Sequence, residues 1–158
     1  MTGGLNWHVR PMTAADAAAI VEWHYEPPYD FYDFRSDPED LAELLAPARW
    51  VEQFRAVFDD AGELVGFFDL KPRDDEVMIG LGLRPDLTGK GLGRSFLDAC
   101  LGYARSVYSP GRIVLDVATF NDRARTLYER AGFRSEYVWV HQSGQGPVEF
   151  LRMSRPEP

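Results

Sequence analysis

Apolar and polar positions along this chain fall into blocks that switch between a period near two and a period near 3.6. Leu5 to Arg10 alternates as a first strand. Thr13 then reads as a helix N-cap with Asp16 three residues on, and Ala17, Ile20, Val21 and His24 recur at helical spacing until Pro27-Pro28 stops them. After an aromatic and acidic loop, Tyr29 to Phe34, Ser36 or Asp37 caps a second helix with Pro38 near its first position and Leu41, Leu44 and Leu45 on its apolar side. Trp50 to Phe58 and Leu64 to Leu70 read as strands joined at Asp59-Asp60-Ala61-Gly62, which predicts a hairpin. Lys71 to Glu76 reads as a charged turn and Val77 to Leu83 as the next strand. Phe96, Leu97, Cys100, Leu101 and Ala104 line one face of a helix over Phe96 to Tyr108. Ile113 to Thr119 is a short buried strand, Asp122 to Ala131 a helix closed by Gly132, and Phe133 to Val140 and Val148 to Met153 a last hairpin.

That order is strand, two helices, three strands, helix, strand, helix, two strands, an α+β (mixed α/β) domain. No repeat, linker or low-complexity tract divides it. Residues 1–158 are therefore read as one domain, long enough to bury roughly two thirds of its unfolded surface.

Between a strand and a helix stands Pro85-Asp86-Leu87-Thr88-Gly89-Lys90-Gly91-Leu92-Gly93-Arg94-Ser95. A glycine-rich turn opening a helix presents unpaired backbone N–H groups at the positive end of the helix dipole, which suits phosphate or pyrophosphate. The P-loop pattern fails here, because Arg84 stands where its first glycine is needed and Lys90 precedes Gly91. The dinucleotide fingerprint fails because Arg94 stands where its third glycine is needed.

The run resembles the pyrophosphate loop of the GNAT superfamily of acetyl-CoA-dependent N-acetyltransferases, Gln/Arg-x-x-Gly-x-Gly/Ala, with Thr88, Gly91 and Gly93 on its three defined positions. Thr88 departs from the pattern and lacks the long polar side chain. The stretch Asn121 to Phe133 resembles the second half of that family's cofactor site, Asn-x-x-Ala-x-x-Leu-Tyr-Glu-x-x-Gly-Phe. The resemblance implies a single-domain GNAT fold: a central, mostly antiparallel sheet of about seven strands, splayed between the fourth and fifth, with about four helices. It also implies acetyl-CoA as co-substrate, held by the backbone of Thr88, Gly89, Lys90, Gly91, Leu92, Gly93, Arg94 and Ser95, by amides near Gly82 and Leu83, and by Asn121. Those amides would also face the thioester oxygen, and preorganised donors of this kind are worth on the order of 3 kcal/mol. Asn121 is equally a favoured N-cap, and Lys90 and Arg94 equally read as solvated charges.

Tyr128 occupies the place where the family's tyrosine reaches the departing sulfur. A phenol near pKa 10 and a thiolate near 8.5 differ by about 2 kcal/mol, so hydrogen bonding to the sulfur counts as much as proton transfer. The attacking ammonium, near pKa 10, is free of its proton in only about one molecule in a thousand at neutral pH. Many relatives carry a glutamate base at the position of Met78, and here it is missing. Glu76, two residues earlier on the same strand face, is the substitute, directly or through water; Asp116, also read as a structural salt bridge, comes next, and a water chain third.

The net charge of −8 argues against nucleic acid, and Glu22 to Glu43 holds eight acids against the single base Arg35. Tyr29, Asp30, Tyr32 and Asp33 in that segment are read as contacts to a cationic acceptor through steering and cation-π attraction. A solvated acidic loop is the competing reading. The expected acceptor is a small-molecule amine, with a peptide N-terminus as the rival and a catalytically silent acyl-CoA-binding module as the alternative class. His8, His24 and His141 lack ligand spacing, so no metal is expected. With one cysteine, no signal peptide and no apolar run able to cross a bilayer, the expected location is cytoplasmic, without membrane partners; a homodimer is left open.

Overall fold

The computed structural model of the chain describes residues 6–143 and 146–158. Leu5, and Gly144 and Gln145 of the last turn, lie outside the described residues. The elements are β1 (His8–Pro11), α1 (Ala14–Val21), α2 (Pro38–Leu44), α3 (Arg49–Glu52), β2 (Phe54–Phe58), β3 (Leu64–Arg73), β4 (Glu76–Leu83), α4 (Gly93–Tyr108), β5 (Arg112–Ala118), α5 (Asp122–Arg130), β6 (Arg134–Ser143) and β7 (Gly146–Pro156). Among the described residues the seven strands form one sheet, ordered β1-β2-β3-β4-β5-β7-β6, antiparallel except for β4 against β5.

Local chemistry sets most boundaries. Thr13 and Asp16 form a reciprocal capping box on α1, each side chain accepting from the other's N–H at 3.2 and 3.0 Å. Asp37 caps α2 by accepting from Glu39 and Asp40, with Pro38 at the first helical position. Two sequence expectations are corrected. Trp50 is not in a strand: its indole N–H donates to the Leu44 carbonyl at 2.7 Å, serving a free carbonyl at the end of α2, and Arg49–Glu52 forms one helical turn, α3, a helix beyond the four expected. The charged turn is shorter than expected, because β3 and β4 stay paired to Arg73 and Glu76, leaving only Asp74 and Asp75 between them, Asp74 at φ 55°.

Side-chain alternation divides the core in two. On one face α4 and α5 cover Phe68, Leu70, Val77, Ile79, Leu115 and Met153; on the other, α1 and α2 close over Phe54, Ala56 and Phe58. Phe67, Asp69 and Lys71 of β3 fall on this second face, opposite Gly82, Gly80 and Met78 of β4. Among the described residues no helix is long and apolar enough to cross a membrane.

Candidate active site

The strands β4 and β5 pair only through Glu76, Val77 and Met78 against Arg112, Ile113 and Val114. Beyond Met78 they separate, and a cleft of about 1230 Å³ opens between them, lined on the strands by Ile79 to Leu83 and Leu115 to Val117. Backbone alternation says which groups face this gap. The Arg84 N–H donates to the Val65 carbonyl at 2.8 Å, so the Leu83–Gly66 and Leu81–Phe68 pairs are the ones that exchange no hydrogen bonds within the β3–β4 ladder. The N–H and C=O groups of Leu81 and Leu83 therefore point into the gap. Those of Gly82 are turned to Phe67, which corrects the expectation that Gly82 donates to a ligand. Gly82 serves by having no side chain: a Cβ there would stand 2.4 Å from the Phe67 ring.

At the end of the gap, a 3-10 turn at Pro85–Leu87 leads through Gly89 (φ 71°) and Gly91 (φ 78°) into α4. These left-handed conformations explain both glycines, whereas Gly93 makes room for Leu127, which a Cβ would approach at 3.3 Å. The first helical amides, Gly93, Arg94 and Ser95, have no partner earlier in the helix, and Leu92 offers no side-chain cap. The 16-residue helix thus aims an uncapped, positive N-terminus along the cleft. Arg94 lines the cleft while holding Asp98 at 3.1 Å and the Arg130 carbonyl at 3.2 Å. Lys90 is exposed outside it, the Thr88 hydroxyl donates to the Pro85 carbonyl at 2.7 Å, and the Ser95 hydroxyl accepts from Trp7 at 2.8 Å. Thr88 and Ser95 therefore bring main-chain groups to this turn rather than free side chains, and the Lys90 side chain stands in solvent.

Both polar ends of the buried Asn121 side chain are engaged. Its carbonyl accepts from Ala124 at 3.1 Å as the N-cap of α5, and its amide donates to the Tyr32 hydroxyl at 3.1 Å. Tyr128 lines the cleft from the α5 side, its ring edge-on to Phe133. Among the described residues none hydrogen-bonds its hydroxyl, and burial, with help from Tyr32 and Cys100, pushes that hydroxyl far above the ordinary range for tyrosine. It is a neutral donor on the lining of the cleft.

On the opposite sheet face the cleft widens under the segment between α1 and α2. Tyr29, Phe31 and Tyr32 stack around Phe120, and Phe31 reaches Phe150. Arg123 lies 4.3 Å from the centre of the Tyr29 ring. The Tyr25 hydroxyl donates to the Leu83 carbonyl at 2.6 Å and so ties this segment to the tip of β4. Asp30 and Asp33 do not face the cleft: Asp33 accepts from the Tyr25 N–H at 2.9 Å and pairs with His24 at 2.6 Å, acting as a brace. The acids that do face it are Asp37, Asp40, Glu43, Asp69, Asp116 and, at the start of α5, Asp122, with Lys71 among them. Asp116 is held by Arg152 at 2.5 and 3.0 Å and by the Trp139 N–H at 3.1 Å. Burial raises the Asp40 carboxyl, while at Glu43 bonds from Gln53 and Lys71 outweigh burial and lower it.

Glu76 is also displaced from its expected place. It sits where β4 and β5 still pair, bound to Arg112 at 3.0 Å and outside the cleft lining. Asp69 gives no signal in the sequence because it stands in a strand of apolar neighbours, and Leu81 gives none because only backbone alternation shows its orientation. Among the described residues no group of three or more His, Cys, Asp or Glu side chains could hold a metal ion.

The family model of the acetyltransferase (GNAT) domain matches residues 7–134. A mycothiol acetyltransferase of Propionibacterium freudenreichii is 43% identical over 81 residues, 48% of this chain and 25% of the relative; one of Salinispora tropica is 38% identical over 86 residues, 51% of this chain and 28% of the relative. The match thus spans about a quarter of the length of these curated relatives. Among solved structures, a spermidine N-acetyltransferase chimera built on the Vibrio cholerae enzyme superposes with a TM-score of 0.78 at 22% identity, covering 95% of both chains. The Vibrio cholerae spermidine N-acetyltransferase in complex with CoA and spermine gives 0.71 at 23% identity, again over 95% of both chains. A GNAT-family acetyltransferase from Bacillus anthracis gives 0.76 at 17% identity, over 95% of this chain and 94% of the other. With the diverging strands, the glycine turn and the family match over residues 7–134 in agreement, this chain belongs to the GNAT acetyltransferase family.

Proposed function

We propose that the protein transfers the acetyl group of acetyl-CoA to the primary amine of a small cationic acceptor. The observation that carries this reading is the early parting of β4 and β5 beside an uncapped helix N-terminus, with an acidic, aromatic cleft on the far face. Acetyl-CoA supplies an activated thioester; the rest is the work of this chain. The amides of Gly93, Arg94 and Ser95, and the turn at Gly89 and Gly91, suit a diphosphate. Leu81 and Leu83 offer main-chain groups to an extended amide-bearing arm and a donor to a carbonyl oxygen as negative charge grows on it. Tyr128 offers a hydroxyl to the departing sulfur. Asp37, Asp40 and Glu43 draw in a cation, and the aromatic rings around Phe120 wall the entrance.

The small-amine reading gains support from the solved relatives named for spermidine, one of them carrying CoA and spermine. The test is release of free thiol from acetyl-CoA with polyamines, aminoglycosides, amino acids and N-terminal peptides as acceptors. Amine-dependent release with equimolar N-acetylated product is expected, strongest for small molecules with more than one ammonium. Tight CoA binding without amine-dependent release would identify a silent binding module instead.

A further inference from the structure

We propose that Asp69 is the general base that removes a proton from the acceptor ammonium, a role that rests on the acetyl-transfer reading above. Asp69 stands in the middle of β3, on the sheet face away from Tyr128, paired across the ladder with Gly80. Asp69 and Tyr128 line the same cleft. The opening between β4 and β5 lies between them.

Most of the rival carboxylates are engaged elsewhere, Asp37 as the cap of α2, while Asp40, also raised by burial, stands on α2 and not on a strand beside the opening. Asp116 is clamped by Arg152 and Trp139, Glu76 by Arg112, and Glu43 by Gln53 and Lys71. Among the described residues only Oδ1 of Asp69 is engaged, accepting from Gln53 Nε2 at 2.9 Å. Oδ2 lies over Gly80, 3.8 Å from where a Cβ would stand, so the missing side chain keeps that oxygen open to the cleft. Gln53 is itself only 4% exposed and is held by Glu43 and Arg49, so the carboxyl is oriented from behind.

Its surroundings also tune its basicity. Burial, with Glu43 and Asp40 of α2 adding repulsion, lifts the carboxyl to about 6 against the opposing pull of Lys71 and Gln53. Cys100 of α4 stays a thiol and His141 lies toward Asp40. A carboxylate so placed is roughly a hundredfold stronger as a base than an ordinary aspartate. One proton passes from nitrogen to Oδ2, freeing the lone pair that forms the C–N bond as the C–S bond breaks. A second nitrogen proton ends on the sulfur and the third stays on the amide; Asp69 then returns its proton to water.

Asp69→Asn keeps the acceptor oxygen for Gln53 and removes the base. The variant should lose at least about a hundredfold in kcat/KM for the amine at pH 7. The acid limb near pH 6 should vanish, with KM for acetyl-CoA unchanged. In the wild type without ligands, carbon-13 NMR should show one aspartate carboxyl titrating near 6 that is absent from the variant, and Asp69→Glu should retain an acid limb. Retention of the rate within about threefold, an unchanged limb, or an Asp69 carboxyl titrating near 4 would overturn the assignment. If the wild type itself releases no thiol with any amine, the transfer reading falls and this role falls with it, an outcome distinct from an active wild type whose Asp69→Asn variant is equally active.

Discussion

Tyr128→Phe separates a chemical role for this side chain from a structural one, because the hydroxyl has no hydrogen-bond partner among the described residues. Deleting it breaks no internal bond and leaves the ring in place against Phe133. Folding stability should therefore stay within about 0.5 kcal/mol of wild type, and the melting temperature should hold. The rate should not hold. A hydrogen bond to a charged group is worth about 1.5–3 kcal/mol, so losing one made to a departing thiolate should lower kcat roughly 10- to 150-fold. KM for acetyl-CoA should change little, since the interaction develops in the transition state. The assay is steady-state thiol release with the best amine, paired with calorimetric melting of the same preparation. Turnover at the full rate would remove Tyr128 from the mechanism, and a fall in rate matched by a fall in melting temperature would return it to the core.

Three further outcomes follow from the same geometry. Gly91→Ala puts a Cβ where φ is 78° with open space around it, so strain alone should cost roughly 1–2 kcal/mol, seen as weaker CoA binding by calorimetry. Gly82→Ala sets a Cβ 2.4 Å from the Phe67 ring, and the forced repacking should cost about 1–3 kcal/mol in denaturant titration. For Asp69, whose native carboxyl at about 6 lies above the ordinary 3.8, the folded state holds the extra proton between those values. Its contribution to stability is therefore full below about pH 4 and lost as pH rises through 6, by up to roughly 3 kcal/mol; Asp69→Asn should be more stable than wild type at pH 8.

The glycine turn and the cap of α5 were legible because their chemistry is local. Gly89 and Gly91 are demanded by positive φ, Asn121 by the cap of α5, and both lie within a few residues of the backbone they serve. The acidic side of the cleft was not, because it is assembled from segments far apart in sequence. Asp30 and Asp33 looked like acceptor contacts from charge alone, yet a short-range pairing with His24 and the Tyr25 N–H turns Asp33 inward as a brace. Asp37, Asp40 and Glu43, a short way along the chain, reach the cleft because α2 folds across it. Trp50 shows the same limit at the level of fold, since one indole bond to Leu44 overrides the apparent strand pattern.

The base illustrates most plainly why strand parity is not enough. Glu76 does share a sheet face with Met78, Gly80 and Gly82, as its spacing of two requires. But each residue advances the chain by about 3.3 Å, and at Glu76 the ladder to β5 is still closed, with Arg112 ready to pair. On this face a carboxylate on β4 could meet the gap only from Gly80 or Gly82, and neither is an acid. The glycine at 80 instead clears the floor, and the residue that fills the vacated space comes from the neighbouring strand, where Asp69 stands directly across the ladder. On this geometry a carboxylate moved from β4 to β3 faces the same cleft from about one inter-strand spacing, 4.7–4.9 Å, farther back, and an acceptor amine must reach correspondingly deeper over Gly80 to meet it.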